Sequence, residues 1–183
     1  MGKKLLVVVD MQNDFVTGVL GTAEARAIVS KVVEKVKNFD GKIIFTRDTH
    51  FENYLKTLEG KNLPVEHCIR YTEGWNIIPE LKDYADMHPG MIYDKGTFGS
   101  VDMCEQVCRM VYYDNEVESI EIIGVCTDIC VISNALMLKA FVSNIPIAVD
   151  ASCCAGVTPE AHLNALKAMK SCQIEILNGD EEG

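Results

Sequence analysis

The chain has no excess of positive charge. Seventeen lysines and arginines face twenty-seven acids, for a formal net charge of -10 over 183 residues. Nucleic acid or an anionic membrane surface would want a basic face, so neither is expected as the main partner. Long apolar runs are missing as well. The longest early one, Leu5–Val9, is far too short for a signal-peptide core or a membrane span. Met1-Gly2 is not followed by Ser or Thr at position 6, which argues against myristoylation. No C-x2-C pair occurs among the eight cysteines, so neither a zinc ribbon nor a thioredoxin-type motif is present. Eight thiols without a secretion signal point to a reducing, cytoplasmic setting. There is no internal repeat and no composition break. The expectation is one domain over residues 1–183, large enough to bury roughly 70% of its unfolded surface.

What is present is an alternation of strand-like and helix-like segments. Continuous apolar, β-branched runs at Lys4–Asp10, Lys42–Thr46, Met91–Asp94, Ser119–Val125, Ile145–Asp150 and Cys172–Leu177 suit strands covered on both faces. Helical periodicity marks Ala23–Asn38, Ser100–Tyr113 and Thr158–Lys170, the last with Pro159 at its first position. Asn178–Gly183 reads as a polar tail. This order implies an α/β fold: a mostly parallel sheet of about six strands with helices on both faces, in a Rossmann-like three-layer arrangement. In such folds ligands bind beyond the carboxyl ends of the strands. The strand ends therefore nominate Asp10, Asp48 with His50, Lys95, Cys126–Cys130 and Asp150.

The organising stretch is SIEIIGVCTDICVISN at 119–134, a buried strand that turns sharply into a helix. Thr127 or Asp128 is expected to cap that helix, with Cys130 in its first turn, where the helix dipole favours a thiolate. Cys130 is accordingly the candidate nucleophile. Asp10, at the end of the first strand, is the candidate base, since none of the four histidines ends the first or fourth strand. The competing reading of Asp10 is a turn or capping residue. Lys95, in DKGTFGS, would favour thiolate and oxyanion; as a solvated turn residue it would do neither. Asp48, His50 and His67 could form a divalent site of two imidazoles and a carboxylate, with Glu59 as a further oxygen. Cys104 and Cys108 share one helix face and read as core. Cys153, Cys154, His88 and His162 receive no role.

Five sequence blocks also carry a family resemblance. VDMQNDF at 9–15, RDTH at 47–50, LPVEHC at 63–68, KGTFGS at 95–100 and GVCTDICV at 124–131 occur in the order seen in the isochorismatase-like cysteine hydrolases, and most resemble the nicotinamidase/pyrazinamidase branch. The resemblance implies a catalytic triad of Asp10, Lys95 and Cys130. It implies a cis peptide between Val125 and Cys126, with the N–H groups of Cys126 and Cys130 as an oxyanion hole. Phe15 and Cys126 are implied to line the substrate pocket, and Asp48, His50 and His67 to hold a divalent metal, Zn²⁺ first, with Mn²⁺ or Fe²⁺ as alternatives. The activity implied is hydrolysis of a small amide, nicotinamide to nicotinate and ammonia, within NAD salvage, by a homo-oligomer. The loop after His50 reads FENYLKT and lacks the further histidine many nicotinamidases carry. Two other readings stand beside this one: a metal-independent relative acting on an N-carbamoyl or ureido compound, and a catalytically silent or thiol redox protein using Cys126 and Cys130.

Overall fold

A computed structural model describes residues 3–179. Met1-Gly2 and the last four residues of the expected polar tail lie outside them. Six strands form one parallel sheet in the order β3-β2-β1-β4-β5-β6: β1 (Lys4–Val9), β2 (Lys42–Asp48), β3 (Ile92–Lys95), β4 (Ser119–Val125), β5 (Ile147–Ala155) and β6 (Glu175–Leu177). Helix α1 is a short turn at Asn13–Val16, followed by α2 (Ala23–Asn38), α3 (Leu58–Asn62), α4 (Pro79–Met87), α5 (Val101–Tyr112), α6 (Ile132–Phe141) and α7 (Pro159–Ser171). Among the described residues no helix is long and apolar enough to cross a membrane.

The pleat of β1 shows how the three layers arise. Leu5, Val7 and Val9 point into one core with Met103, Val107, Leu138 and Met169 from α5, α6 and α7. Leu6 and Val8 point into the other, with Val32 and Val36 of α2 and Leu81 of α4. A strand buried on both faces must be apolar at every position, which is why KLLVVV is unbroken. Thr22, Ser100 and Thr158 cap α2, α5 and α7 by accepting the N–H of Ala25, Met103 and Ala161.

Several boundaries differ from expectation, and they matter for the site. β2 runs on to Asp48, and β3 takes in Lys95, so both side chains leave from within a strand rather than from the loop after it. β5 extends to Ala155, which places Asp150 and Cys153-Cys154 mid-strand. Asp150 pairs with Lys35 of α2 (2.7 Å) and accepts from Ser152 and Asn178; it is not at the carboxyl-end crevice. The long connection after β2 holds a 3-10 turn at Tyr54–Lys56 and α3, and α4 follows it; none is evident as periodicity.

The largest departure concerns the turn after β4. Residues Thr127–Val131 form a π-helical turn, and α6 begins only at Ile132. Neither Thr127 nor Asp128 caps a helix. The Thr127 hydroxyl pairs with His162 Nδ1 (2.8 Å), and Asp128 accepts the Val157 N–H (3.0 Å), both from the β5–α7 side. Widening one turn in this way is common where a helix start carries function.

Candidate active site

Three strand ends converge. Asp10 follows β1 with φ of 51°, a left-handed conformation that Asp tolerates better than most residues. Its Oδ1 accepts the Thr46 hydroxyl (2.7 Å) and its Oδ2 lies 2.6 Å from Lys95 Nζ. Lys95 Nζ is in turn 3.6 Å from Cys130 Sγ. All three residues are buried, Asp10 completely, Lys95 to 5% exposure and Cys130 to 6%. The structure thus brings together the three residues selected from strand ends.

Their electrostatics differ from the expected preformed thiolate. Burial pushes the Cys130 thiol well above its ordinary range, and the neighbouring Asp10 carboxylate pushes the same way, against the Lys95 ammonium. Burial also raises Asp10, opposed by Lys95 and aided by Asp48. Burial disfavours the Lys95 ammonium, yet Asp10, Cys130 and Asp48 together hold it above its ordinary value. These surroundings favour the thiol form of Cys130 over a preformed thiolate, because a desolvated site that holds a carboxylate disfavours a second anion.

Beside this triad lies a second cluster. Asp48, His50 and His67 are buried, and their donor atoms lie within 4.8 Å of one another. His50 Nε2 sits 3.0 Å from Asp48 Oδ2 and has no hydrogen-bond partner among the described residues. His67 Nδ1 donates to the Val65 carbonyl (2.7 Å), which leaves Nε2 with its lone pair facing Asp48 at 3.5 Å. Two fixed imidazole nitrogens and a carboxylate oxygen around one buried point are the donor set of a divalent cation, so the residues fit such an ion. Glu59 Oε1 lies 3.5 Å from His50 Nε2 and 3.9 Å from His67 Nε2, placing a fourth donor atom beside these three. Burial would raise Asp48, but the His50 and His67 rings, with Lys95, hold it below the usual carboxylate range. Burial would lower His67, but Asp48 and the Val65 carbonyl raise it. Lys95 Nζ is 3.6 Å from Asp48 Oδ1, so one ammonium bridges both clusters.

Aromatic rings lie against the two histidines. The Phe15 ring lies 5.6 Å from that of His67, and fully buried Tyr54 packs against both histidines (4.6 and 5.0 Å) while donating to the Leu63 carbonyl. The peptide between Val125 and Cys126 is cis. Cys126 is half-buried, its thiol pushed up to about 12 by burial and by Asp128, and both Cys126 and Cys130 are free thiols.

Sequence reasoning leaves out residues that hold this arrangement. Gln12 is fully buried; its Nε2 donates to the carbonyls of Asp48 (2.9 Å) and Trp75 (2.8 Å), and its Oε1 accepts the Asp48 N–H (2.7 Å). Asn134 accepts the Ser100 N–H and donates to the carbonyls of Cys130 and Phe98, tying the KGTFGS loop to the cysteine turn. Asp14 accepts the Cys68 N–H (2.7 Å) and so anchors the loop beyond His67. Gln12 and Asp14 stand inside VDMQNDF, but only that clustering of polar residues after an apolar run could have flagged them.

A doubly wound parallel sheet with a cysteine on the turn after a central strand, facing an aspartate and a lysine from two others, defines a class of α/β proteins with a strand-end site. The isochorismatase domain model matches residues 4–181, and the chain belongs to that family. It is 28% identical to the "uncharacterized isochorismatase family protein PncA" of Bacillus subtilis over 178 aligned positions, 90% of this chain and 92% of that protein. It is 25% identical to the nicotinamidase/pyrazinamidase of Mycobacterium tuberculosis, over 95% of this chain and 98% of that one. Among solved structures, the pyrazinamidase of Pyrococcus horikoshii in complex with zinc superposes with a TM-score of 0.76 at 26% identity, covering 97% of this chain and all of that one.

Proposed function

We propose that the protein is an amidohydrolase acting on the C–N bond of a small carboxamide, nicotinamide first, through a thioester on Cys130. The observation that carries this reading is the buried Asp10–Lys95–Cys130 convergence, with one ammonium 2.6 Å from the acid and 3.6 Å from the sulfur. Similarity to nicotinamidase/pyrazinamidase relatives supports the substrate class.

Because burial favours the thiol form of Cys130, its proton leaves as the S–C bond forms. Asp10, raised by burial, accepts it, and the sulfur attacks the amide carbon. Lys95 stays protonated and offsets the charge that passes between sulfur and carboxylate. The oxyanion is received by the N–H groups of Cys126 and Cys130. As the C–N bond breaks, Asp10 returns the proton to nitrogen and ammonia departs. A water molecule then gives its proton to Asp10 and attacks the thioester carbon; the C–S bond breaks, and the proton passes back to sulfur. Asp48, His50 and His67, with Glu59, would hold a divalent ion, Zn²⁺ first. Such an ion, when bound, would supply Lewis-acid character beside the substrate ring. Phe15 and Tyr54 would flank that ring and exclude water. We place all of this in one domain that works in the cytoplasm as a homo-oligomer.

The test is ammonia release from nicotinamide by the purified enzyme, alongside elemental analysis of bound metal. Cys130→Ala is expected to abolish turnover and His50→Ala to lower both turnover and metal content. Undiminished hydrolysis in Cys130→Ala would refute the proposal.

A further inference from the structure

The turn that carries Cys130 is held from behind as well as from within the site. Its first residue, Thr127, is fully buried, and its hydroxyl lies 2.8 Å from Nδ1 of His162, the fourth residue of α7. His162 Nδ1 is the only hydrogen-bond partner of that hydroxyl among the described residues. Burial lowers the His162 pKa, against the pull of Asp128, and so favours a neutral ring paired with the Thr127 hydroxyl through Nδ1. One residue on, Asp128 Oδ1 accepts the Val157 N–H at 3.0 Å. Gly156 sits close to these contacts: a Cβ there would lie 2.8 Å from the His162 backbone nitrogen and 2.9 Å from Asp128 Oδ1. The start of α7 and the loop before it therefore dock closely on the outer side of the π-helical turn. That turn has no side-chain cap of its own. The nearest substitute for a cap is the pair of bonds from Thr127 and Asp128 to the β5–α7 segment.

We propose that His162 is a positioning residue, which through Thr127 holds the Cys126–Thr127 peptide and the mouth of the Cys130 turn in register for catalysis. It touches no reacting atom. The inference rests on the reading that Cys126 and Cys130 supply the oxyanion donors. Those donors act only while their N–H groups stay aimed at one point, and a loss of aim lowers kcat rather than substrate affinity.

The experiment compares His162→Leu, His162→Asn, Thr127→Val and the double variant His162→Leu/Thr127→Val with wild type. Steady-state kinetics on nicotinamide are measured together with amide hydrogen exchange of residues 126–131. Asn keeps a polar atom near the Nδ1 position; Leu does not. The expected result is about tenfold lower kcat at unchanged KM in His162→Leu, as for one lost hydrogen bond acting on the transition state. His162→Asn recovers most of it, Thr127→Val reproduces the loss, and the double variant is no worse than either single one. Exchange at 126–131 speeds up in the Leu and Val variants and not in Asn. Unchanged kcat in His162→Leu, a loss that Asn does not recover, or additive losses in the double variant would each overturn the proposal. If the wild-type enzyme leaves nicotinamide intact, the amidohydrolase reading fails on its own. The exchange pattern then decides whether His162 holds the turn: faster exchange in the Leu and Val variants but not in Asn supports it, and equal exchange in all variants rejects it.

Discussion

Replacing Asp10 by asparagine separates what this carboxylate does for the sulfur from what it does for the reaction. In the wild type the Cys130 thiol feels opposed charges: Asp10 and, less strongly, Asp48, which disfavour the thiolate, and Lys95, 3.6 Å away, which favours it. At that distance the ammonium–thiolate attraction is about 4–5 kcal/mol at an effective dielectric of 20, which Asp10 largely cancels in place. The Asp10→Asn change removes the cancelling charge and leaves the attraction. The thiolate should become easier to form, so alkylation of Cys130 by iodoacetamide near neutral pH should accelerate, about tenfold or more. Amide hydrolysis should fall in the same protein by about 10²–10⁴, because the group that moves the proton from sulfur to nitrogen is gone. The fold also weakens. Breaking a buried ion pair typically costs about 3–5 kcal/mol, and the lower end applies here because the amide oxygen of the new side chain can still accept from Lys95. In a chain of this size about 3 kcal/mol corresponds to a Tm lowered by about 6–12 °C. Peptide mapping gives the alkylation rate at Cys130, ammonia release gives the turnover, and thermal melts give the Tm. Slower alkylation together with retained hydrolysis would refute the assignment of Asp10 as proton carrier.

Other consequences are nearer to hand. Gln12→Leu strands the Asp48 N–H and two carbonyls in the interior; a stability loss of about 2–4 kcal/mol and lower metal content should appear in denaturant titration and elemental analysis. Gly124 has φ of 121°, and a Cβ there would lie 2.1 Å from the Val9 carbonyl oxygen; Gly124→Ala should cost more than about 4 kcal/mol or prevent folding, as solubility and melting will show. Asp150 is held below the ordinary carboxylate value: burial opposes this, but bonds from Lys35, Asn178 and Ser152 outweigh it. A lowered carboxyl contributes stability above its unfolded pKa and loses it as pH falls through the folded one. Asp150→Asn should therefore flatten the fall in Tm below about pH 4, while wild type keeps it. Glu59→Gln, which removes a charge 3.5 Å from His50 Nε2, should weaken divalent-metal binding about tenfold by competition with a chelator.

Some of this architecture is written locally. The unbroken β-branched runs of β1 and β4 announce strands because both faces of those strands are buried, and alternation would be wrong for them. The apolar run Ser119–Val125 coincides with β4 from its first residue to its last. Asp10, Lys95 and Cys130 are legible because the chain places each one at or just beyond the end of such a run, and a parallel sheet delivers all those ends to one side. Asp48, His50 and His67 can be named as a set, although only folding brings their donor atoms within 4.8 Å.

Three features are decided by tertiary structure alone. The apolar run of β5 breaks at Asp150, where a charge suggests a strand end; Lys35, supplied by α2, lets the strand carry that charge through. Thr127 and Asp128 have side chains suited to capping a helix, but partners on α7 and the loop before it claim both, and the helix begins later. The state of the sulfur departs from expectation for the same reason. A helix start favours a thiolate in water, yet burial and a facing carboxylate set the outcome here, and neither is a property of the residues near Cys130 in the chain. The order of residues decides which groups arrive at the strand ends; the dielectric around them, and the charges they meet there, exist only once the chain has closed over them.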